Sequence, residues 1–219
     1  MSANTEFGME VTVDTGLTLA AIGALKPKHK VSWRGWFVQA GERHSMEFPN
    51  LSIGFDGIIS GNGSDPIGDF NITGVLNFDG TFSFDKQYEE FSVVYEGNVE
   101  GLTLSGLWSL PDQPQEEFEI AMDSQRFVGF FEQDGNIVDM ELVINNSEGG
   151  VFGCGIDEIG TFVLRGHKKG PNFNFAKKYL GAHEVLYFGM YGKQDGDYVI
   201  RGRWTMNDGI DGAFELSGI

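Results

Sequence analysis

From Val31 onward, apolar and polar residues alternate in short runs, with turn residues between them. Alternation with a period of two places every second side chain on one face of a strand. In the first half the runs fall at 32–40, 44–53, 57–62, 68–76, 80–88, 91–97, 102–109 and 116–122. In the second they fall at 126–133, 136–145, 149–155, 160–168, 171–179, 183–192, 197–206 and 211–217. None carries the period of a helix. Asp79-Gly80, Asp134-Gly135, Lys169-Gly170 and Asp208-Gly209 stand between runs. Such pairs suit tight hairpins, because glycine takes the left-handed backbone conformation at no steric cost. Strands joined in sequence by hairpins form an antiparallel meander.

The two halves are copies. Gly61 to Gly74 reads GNGSDPIGDFNITG, and Gly153 to Gly166 reads GCGIDEIGTFVLRG, an offset of 153 − 61 = 92 residues. Both follow Gly-x-Gly-x-Asp-x-Ile-Gly-x-Phe-x-(Ile/Leu)-x-Gly. Phe82, Phe84, Lys86 and Tyr88 are answered by Phe173, Phe175, Lys177 and Tyr179. Trp33, Gly35 and Phe37 are answered by Phe127, Gly129 and Phe131, and Met46 by Met140. A repeat of this length marks a duplicated structural unit. The boundary falls near Asp123–Ser124, giving units 31–123 and 124–219 after an N-terminal extension, 1–30.

Glycine recurs at matching places on four strands of each unit: 35, 74, 97 and 106, then 129, 166, 189 and 202. Glycine inside a strand weakens it unless the backbone must bend or pack closely. Recurring among aromatics, it predicts the corner pattern of a small barrel whose strands coil to close. The expected fold is all-β: two tandem eight-stranded antiparallel up-and-down β-barrels. Gly35-Trp36 followed by Gly41 and Met46, and Leu104 to Leu110 with Trp108, resemble the avidin-like barrel of the calycin group. The resemblance is one of architecture. The biotin-pocket pattern does not carry over, since the second unit holds a single tryptophan, Trp204.

Composition narrows the partners. A net charge of −17 disfavours nucleic acid and anionic membranes, which need Lys/Arg-rich surfaces. The basic residues cluster, Lys26, Lys28, Lys30 and Arg34 in one place, Arg165, Lys168 and Lys169 in another, and read as solvated faces. One cysteine, Cys154, excludes a disulfide within the chain, and the histidines lack ligand spacing. Gly16 to Leu25 is apolar but too short to span a bilayer. Acids precede it where a secretory signal would carry bases. A soluble, intracellular protein is expected.

The candidate chemistry sits at one end of each barrel. Lys86 and Lys177 fall on the aromatic face by parity, and a lysine there needs a partner or an exit to water. A hairpin at 76–80 sets Lys86 roughly opposite Phe70, at the end that carries Asp65. Asp65, Lys86, Tyr88 and Trp108 should then converge on one mouth. The second set is Asp157, Lys177, Tyr179, His183 and Trp204. Each Asp–Lys pair reads either as a salt bridge fixing closure or as a ligand mouth with charge, phenol and indole groups. No cofactor is expected. Calcium is the alternative, since Gly-x-Gly-x-Asp looks like a fragment of the nonapeptide calcium repeat; one carboxylate per copy falls short of a six-to-eight-oxygen shell. No nucleophile constellation recurs, and Asn62 stands where Cys154 does. The reading is a non-enzymatic binding module that docks a protein or builds an assembly; the alternative is a carrier of a small hydrophobic ligand. A small-barrel enzyme built on Lys86 or Lys177 comes third.

Overall fold

The computed structural model describes residues 32–111, 113–146 and 149–219. The N-terminal extension, with its apolar Gly16–Leu25, lies outside the described residues. The elements are β1 (Trp33–Gln39), β2 (Glu42–Phe48), β3 (Ser52–Ile53), β4 (Ile58–Ser64), β5 (Asp69–Leu76), β6 (Thr81–Gln87), β7 (Ser92–Glu100), β8 (Thr103–Ser109) and β9 (Glu116–Ala121) in the first unit. The second holds β10 (Gln125–Gln133), β11 (Asn136–Asn145), β12 (Gly150–Ile156), β13 (Thr161–Lys169), β14 (Asn172–Tyr179), β15 (Glu184–Gln194), β16 (Asp197–Met206) and β17 (Asp211–Gly218). Except for β2 with β3 and β9 with β10, strands adjacent in sequence pair antiparallel. The second unit closes through β10–β17 and the first through β1–β9.

Each unit is an eight-stranded barrel, and in the first the second strand is broken in two. Pro49 and Asn50 form a turn between β2 and β3. Proline cannot donate to a ladder, so the strand interrupts there. β4 bridges the break, pairing with β3 through Ser52 and Ile53 and with β2 through Glu47. β11 is the unbroken counterpart.

The glycines mark close inter-strand approach. A Cβ on Gly74 would lie 2.5 Å from the Cα of Phe84, its partner on β6, and one on Gly166 2.6 Å from the Cα of Phe175. Gly97 faces Gly106, and Gly189 faces Gly202. The strands therefore coil tightly enough for aromatic rings to fill the lumen. Phe84 stacks on Tyr95 at 5.0 Å, with Phe118 edge-on at 4.6 Å to Tyr95. In the second barrel Phe175 stacks on Tyr187 at 4.5 Å, with Phe214 edge-on at 5.2 Å.

The barrels pack end against wall. The outer face of β12, β13 and β14 covers the end of barrel 1 formed by its β3–β4, β5–β6 and β7–β8 turns. Cys154 donates to the carbonyl of Gly101 at 3.1 Å. Thr161 donates to the carbonyl of Phe78 through its backbone at 3.2 Å and its hydroxyl at 2.9 Å. Arg165 donates to Ser52 Oγ at 3.1 Å and to the carbonyl of Ile53. Phe152 meets Trp33 edge-on at 6.1 Å. Cys154 and Val163, 1% and 0% exposed, belong to the apolar core of barrel 1 although they stand on the outside of barrel 2. Burial pushes the Cys154 thiol up to about 12, which leaves it unreactive at neutral pH.

A shared core couples the two units. Gly74→Val drives a branched side chain into the backbone of β6 and should cost about 1–3 kcal/mol. Because the wall of barrel 2 completes the core of barrel 1, calorimetry should show one unfolding transition that moves as a whole. Two transitions, with only one displaced by Gly74→Val, would show that the barrels unfold independently.

Candidate functional site

Asp65 sits in the β4–β5 turn. Its Oδ1 accepts from the backbone N–H of Ile67 at 2.8 Å and of Gly68 at 3.2 Å, an Asx-type turn that fixes the carboxylate. Its Oδ2 accepts from the ammonium of Lys86 and from the hydroxyl of Tyr88, the latter at 2.5 Å. Lys86 enters from β6 opposite Ile72, two residues along from the Phe70 position expected from the hairpin, because the β5–β6 turn closes between Asn77 and Thr81, one residue further along the chain. Its ammonium lies 4.1 Å from the ring centre of Phe70 and 5.0 Å from that of Phe37, and 3.4 Å from the sulfur of Met46. The cation is thus held by one carboxylate, aromatic faces and a thioether.

The second barrel repeats the arrangement. Asp157 Oδ1 accepts from Ile159 N–H at 2.9 Å and Gly160 N–H at 3.3 Å, and Oδ2 from Lys177 at 2.6 Å and Tyr179 at 2.8 Å. The settings differ. The side chain of Asp65 is 0% exposed and that of Asp157 34%.

The pKa directions follow from burial set against pairing. Burial works to raise the Asp65 carboxyl, but hydrogen bonds from Lys86 and Tyr88 and the charge of Lys86 outweigh it and leave it below its ordinary value. Asp157 is lowered in the same way by Lys177 and Tyr179. Burial pulls the Lys86 ammonium down to about 8 against the pull of Asp65, and lowers Lys177 likewise. Tyr88 and Tyr179 are raised, first by burial and then by the carboxylate each one donates to.

The tryptophans take another role. Trp108 donates to the carbonyl of Val38 at 2.8 Å and Trp204 to that of Glu132 at 3.0 Å, each bracing β1 or β10 across the closure. Trp108 stands one ring away from the lysine, meeting the ring of Phe37 edge-on at 6.0 Å. His183 is exposed and lies 5.0 Å from the ring of Tyr179. Of the residues expected at each mouth, Asp, Lys and Tyr are joined directly and the indoles stand apart. Both carboxylate oxygens of Asp65 are taken by donors, and among the described residues no group of three His, Cys, Asp or Glu is placed to hold a metal ion. Among those residues no helix is long and apolar enough to cross a membrane.

A second feature lies on the outer wall of barrel 1. Asn62 pairs with Asn71 across β4–β5, and Asn71 with Gln87 across β5–β6, so three amides form a row. Ser64 and Asp69 pair beside them. These side chains line a depression of about 550 Å³ with Tyr88 and Glu89 at its edge. Gln87 donates to the carbonyls of Tyr88 and Phe91, and Asn50 to Asn62 at 3.0 Å. In barrel 2 the same positions are Cys154, Val163 and Lys178 for the amides and Ile156, Thr161 and Leu180 for Ser64, Asp69 and Glu89. That is the face which packs on barrel 1. The amide row of Asn62, Asn71 and Gln87 was not a candidate from sequence, because it is not among the features the two copies share. The signal was a difference: Cys154, Ile156, Val163 and Leu180 replace polar residues on the outer parity of one copy only.

No protein-family model matches the chain, and no curated protein matches it. Solved structures that align with it include two described as an agglutinin and a hemagglutinin. One is Burkholderia oklahomensis agglutinin, at 11% identity over 86% of this chain and 95% of the other, with a TM-score of 0.29. The other is the Myxococcus xanthus hemagglutinin in complex with a3,a6-mannopentaose, at 10% identity over 86% of this chain and 100% of the other, with a TM-score of 0.29. Neither ties the barrels to the avidin-like group, and values at this level leave the function to be read from the chain's own surface.

Removing Lys86 strands a buried carboxylate, whereas removing Lys177 strands one that reaches water. Lys86→Met should therefore destabilise by about 3–5 kcal/mol. Lys177→Met should destabilise less, since solvent screens its partner. Adding Asp65→Asn to Lys86→Met should recover part of the loss in urea unfolding. Equal losses in the two single variants would refute the difference in burial.

The lowered carboxyls also set a pH dependence. The unfolded chain binds more protons than the folded one near the ordinary aspartate value of 3.8. Stability from both groups is present above that value and is lost as pH falls through the folded values. The Asp65→Asn, Lys86→Met double variant should show a shallower acid slope than the parent when stability is measured from about pH 5 downward. An unchanged slope would contradict the assignment.

Proposed function

We propose that the chain is a non-enzymatic docking module whose partner is a protein, and that the outer wall of β4–β6 in barrel 1 is its docking face. One observation carries this reading: the equivalent wall of barrel 2 already docks a folded barrel. The repeated titratable groups are engaged with one another inside each barrel, so they supply no open nucleophile or base. The lumens are filled by stacked rings, which speaks against a carrier of small hydrophobic ligands. The wall of barrel 1 carries an amide row and acids in place of Cys154 and Val163. It therefore suits a polar, hydrogen-bonded contact of the kind found between independently folded partners.

A second reading of the same wall is a seat for a neutral saccharide. Amides offer donors and acceptors together, and Phe91, 40% exposed and stacked on Tyr88 at 4.6 Å, stands beside them as an apolar platform.

A photo-crosslinking residue separates the readings. With p-benzoylphenylalanine at Asn71, native lysate should yield discrete protein adducts; the same residue at exposed Arg201, on barrel 2, should yield none. Absence of adducts at position 71 would overturn protein docking. Heat released on titration with neutral oligosaccharides, and lost in Asn71→Ala, would favour the saccharide seat instead.

A further inference from the structure

Resting on the docking reading of the barrel 1 wall, we infer that its partner is the free end of barrel 2 in a second copy of this chain.

The contact inside the chain supplies the template. It joins a wall, β12–β14, to a barrel end made of the β3–β4, β5–β6 and β7–β8 turns. Each barrel owns one such wall and one such end. Within one chain the wall of barrel 2 and the end of barrel 1 are consumed, and among the described residues the wall of barrel 1 and the end of barrel 2 are left over. A contact between unlike surfaces of this kind can repeat from copy to copy.

The two left-over surfaces differ in charge. On the outer positions of β4, β5 and β6 stand Asp69 and Asp85, with Glu47 and Glu89 at the margins, and no Lys or Arg. Lys86 is the sole base on those strands, and it points inward. At the end of barrel 2, Lys168 and Lys169 close β13, where the matching positions of barrel 1 are Leu76 and Asn77. Lys193 lies near the end of the neighbouring β15, beside Asp195 in the β15–β16 turn and Asp197 at the start of β16. Beneath these groups Phe173, Tyr191 and Tyr198 stack at 5.8 and 5.2 Å, and the ammonium of Lys168 lies 3.5 Å above the Tyr191 ring. The end is therefore a firm aromatic plug with lysines at its rim. An acidic wall with amides meets a rim on which three lysines outnumber two aspartates, whereas the internal contact is centred on the apolar Cys154, Val163 and Phe152. Complementary charge of this kind sets partner and register. At physiological salt the Debye length is about 8 Å, so the net charge of −17 repels weakly at range while facing groups still attract.

Sedimentation velocity on the full chain tests this. Mass should rise with concentration, and the rise should shrink as salt is added. Asp69→Lys with Glu89→Lys should give a monomer, and so should Lys168→Glu with Lys169→Glu. Mixing the two variants should restore a complex, because a basic wall then meets an acidic rim. A parent that stays monomeric at all concentrations, or a mixture that fails to associate, would overturn the inference. A monomer that still captures a foreign protein through position 71 would leave the docking reading standing and remove only the second copy.

Discussion

A lysine ammonium inside a ring of aromatic side chains is tolerable only if a carboxylate meets it there. That single requirement organises each barrel. It fixes the β4–β5 turn, because Asp65 must hold its own loop through Ile67 and Gly68 while it receives Lys86 and Tyr88. It ties a loop at the barrel's end to β6, and Met46 and Phe37 bring β1 and β2 into the same cluster. Most strands of barrel 1 thus answer to one charge. The second barrel keeps the same four donors on Asp157, but with its carboxylate partly in water the constraint is looser.

Closure at one end leaves the other end to be solved. The strands coil closely at Gly74 and Gly166, so the lumen is narrow and fills with rings. Turns at the far end of barrel 1 expose Trp33, Leu102 and their neighbours, which need a cover. Barrel 2 supplies it with Cys154, Val163 and Phe152, residues that a solitary barrel would expose. In barrel 2 the corresponding end is covered by its own Tyr191 and Tyr198. Duplication followed by divergence of one outer face accounts for both solutions, and among the described residues it leaves the polar wall of barrel 1 uncovered.

Much of this was legible in the sequence. Strand positions followed from alternation within one to three residues at most ends, since the lumen-facing parity is strict. The Asp–Lys pairing followed from parity and hairpin geometry, because both the carboxylate turn and the lysine recur. Three things were not legible. Strand two of barrel 1 breaks at Pro49 through a local turn that the alternating run conceals. Trp108 and Trp204 brace neighbouring backbone carbonyls, a contact across closure that spacing cannot reveal. The end-on-wall packing depends on contacts far apart in sequence, such as Cys154 with Gly101. It left one trace, the exchange of Asn62, Asn71 and Gln87 for Cys154, Val163 and Lys178.

Whether the repeated ionic cluster is a sealed lock or an open site is the point on which the rest turns. Limited acetylation of the native protein, followed by peptide mass spectrometry, reads this lysine by lysine. Lys169 and Lys193 should be modified readily, while Lys86 stays unmodified and Lys177 reacts far more slowly than either, each becoming reactive only on unfolding. Native Lys86 acetylated as fast as Lys169 would show an accessible ammonium and contradict a lock.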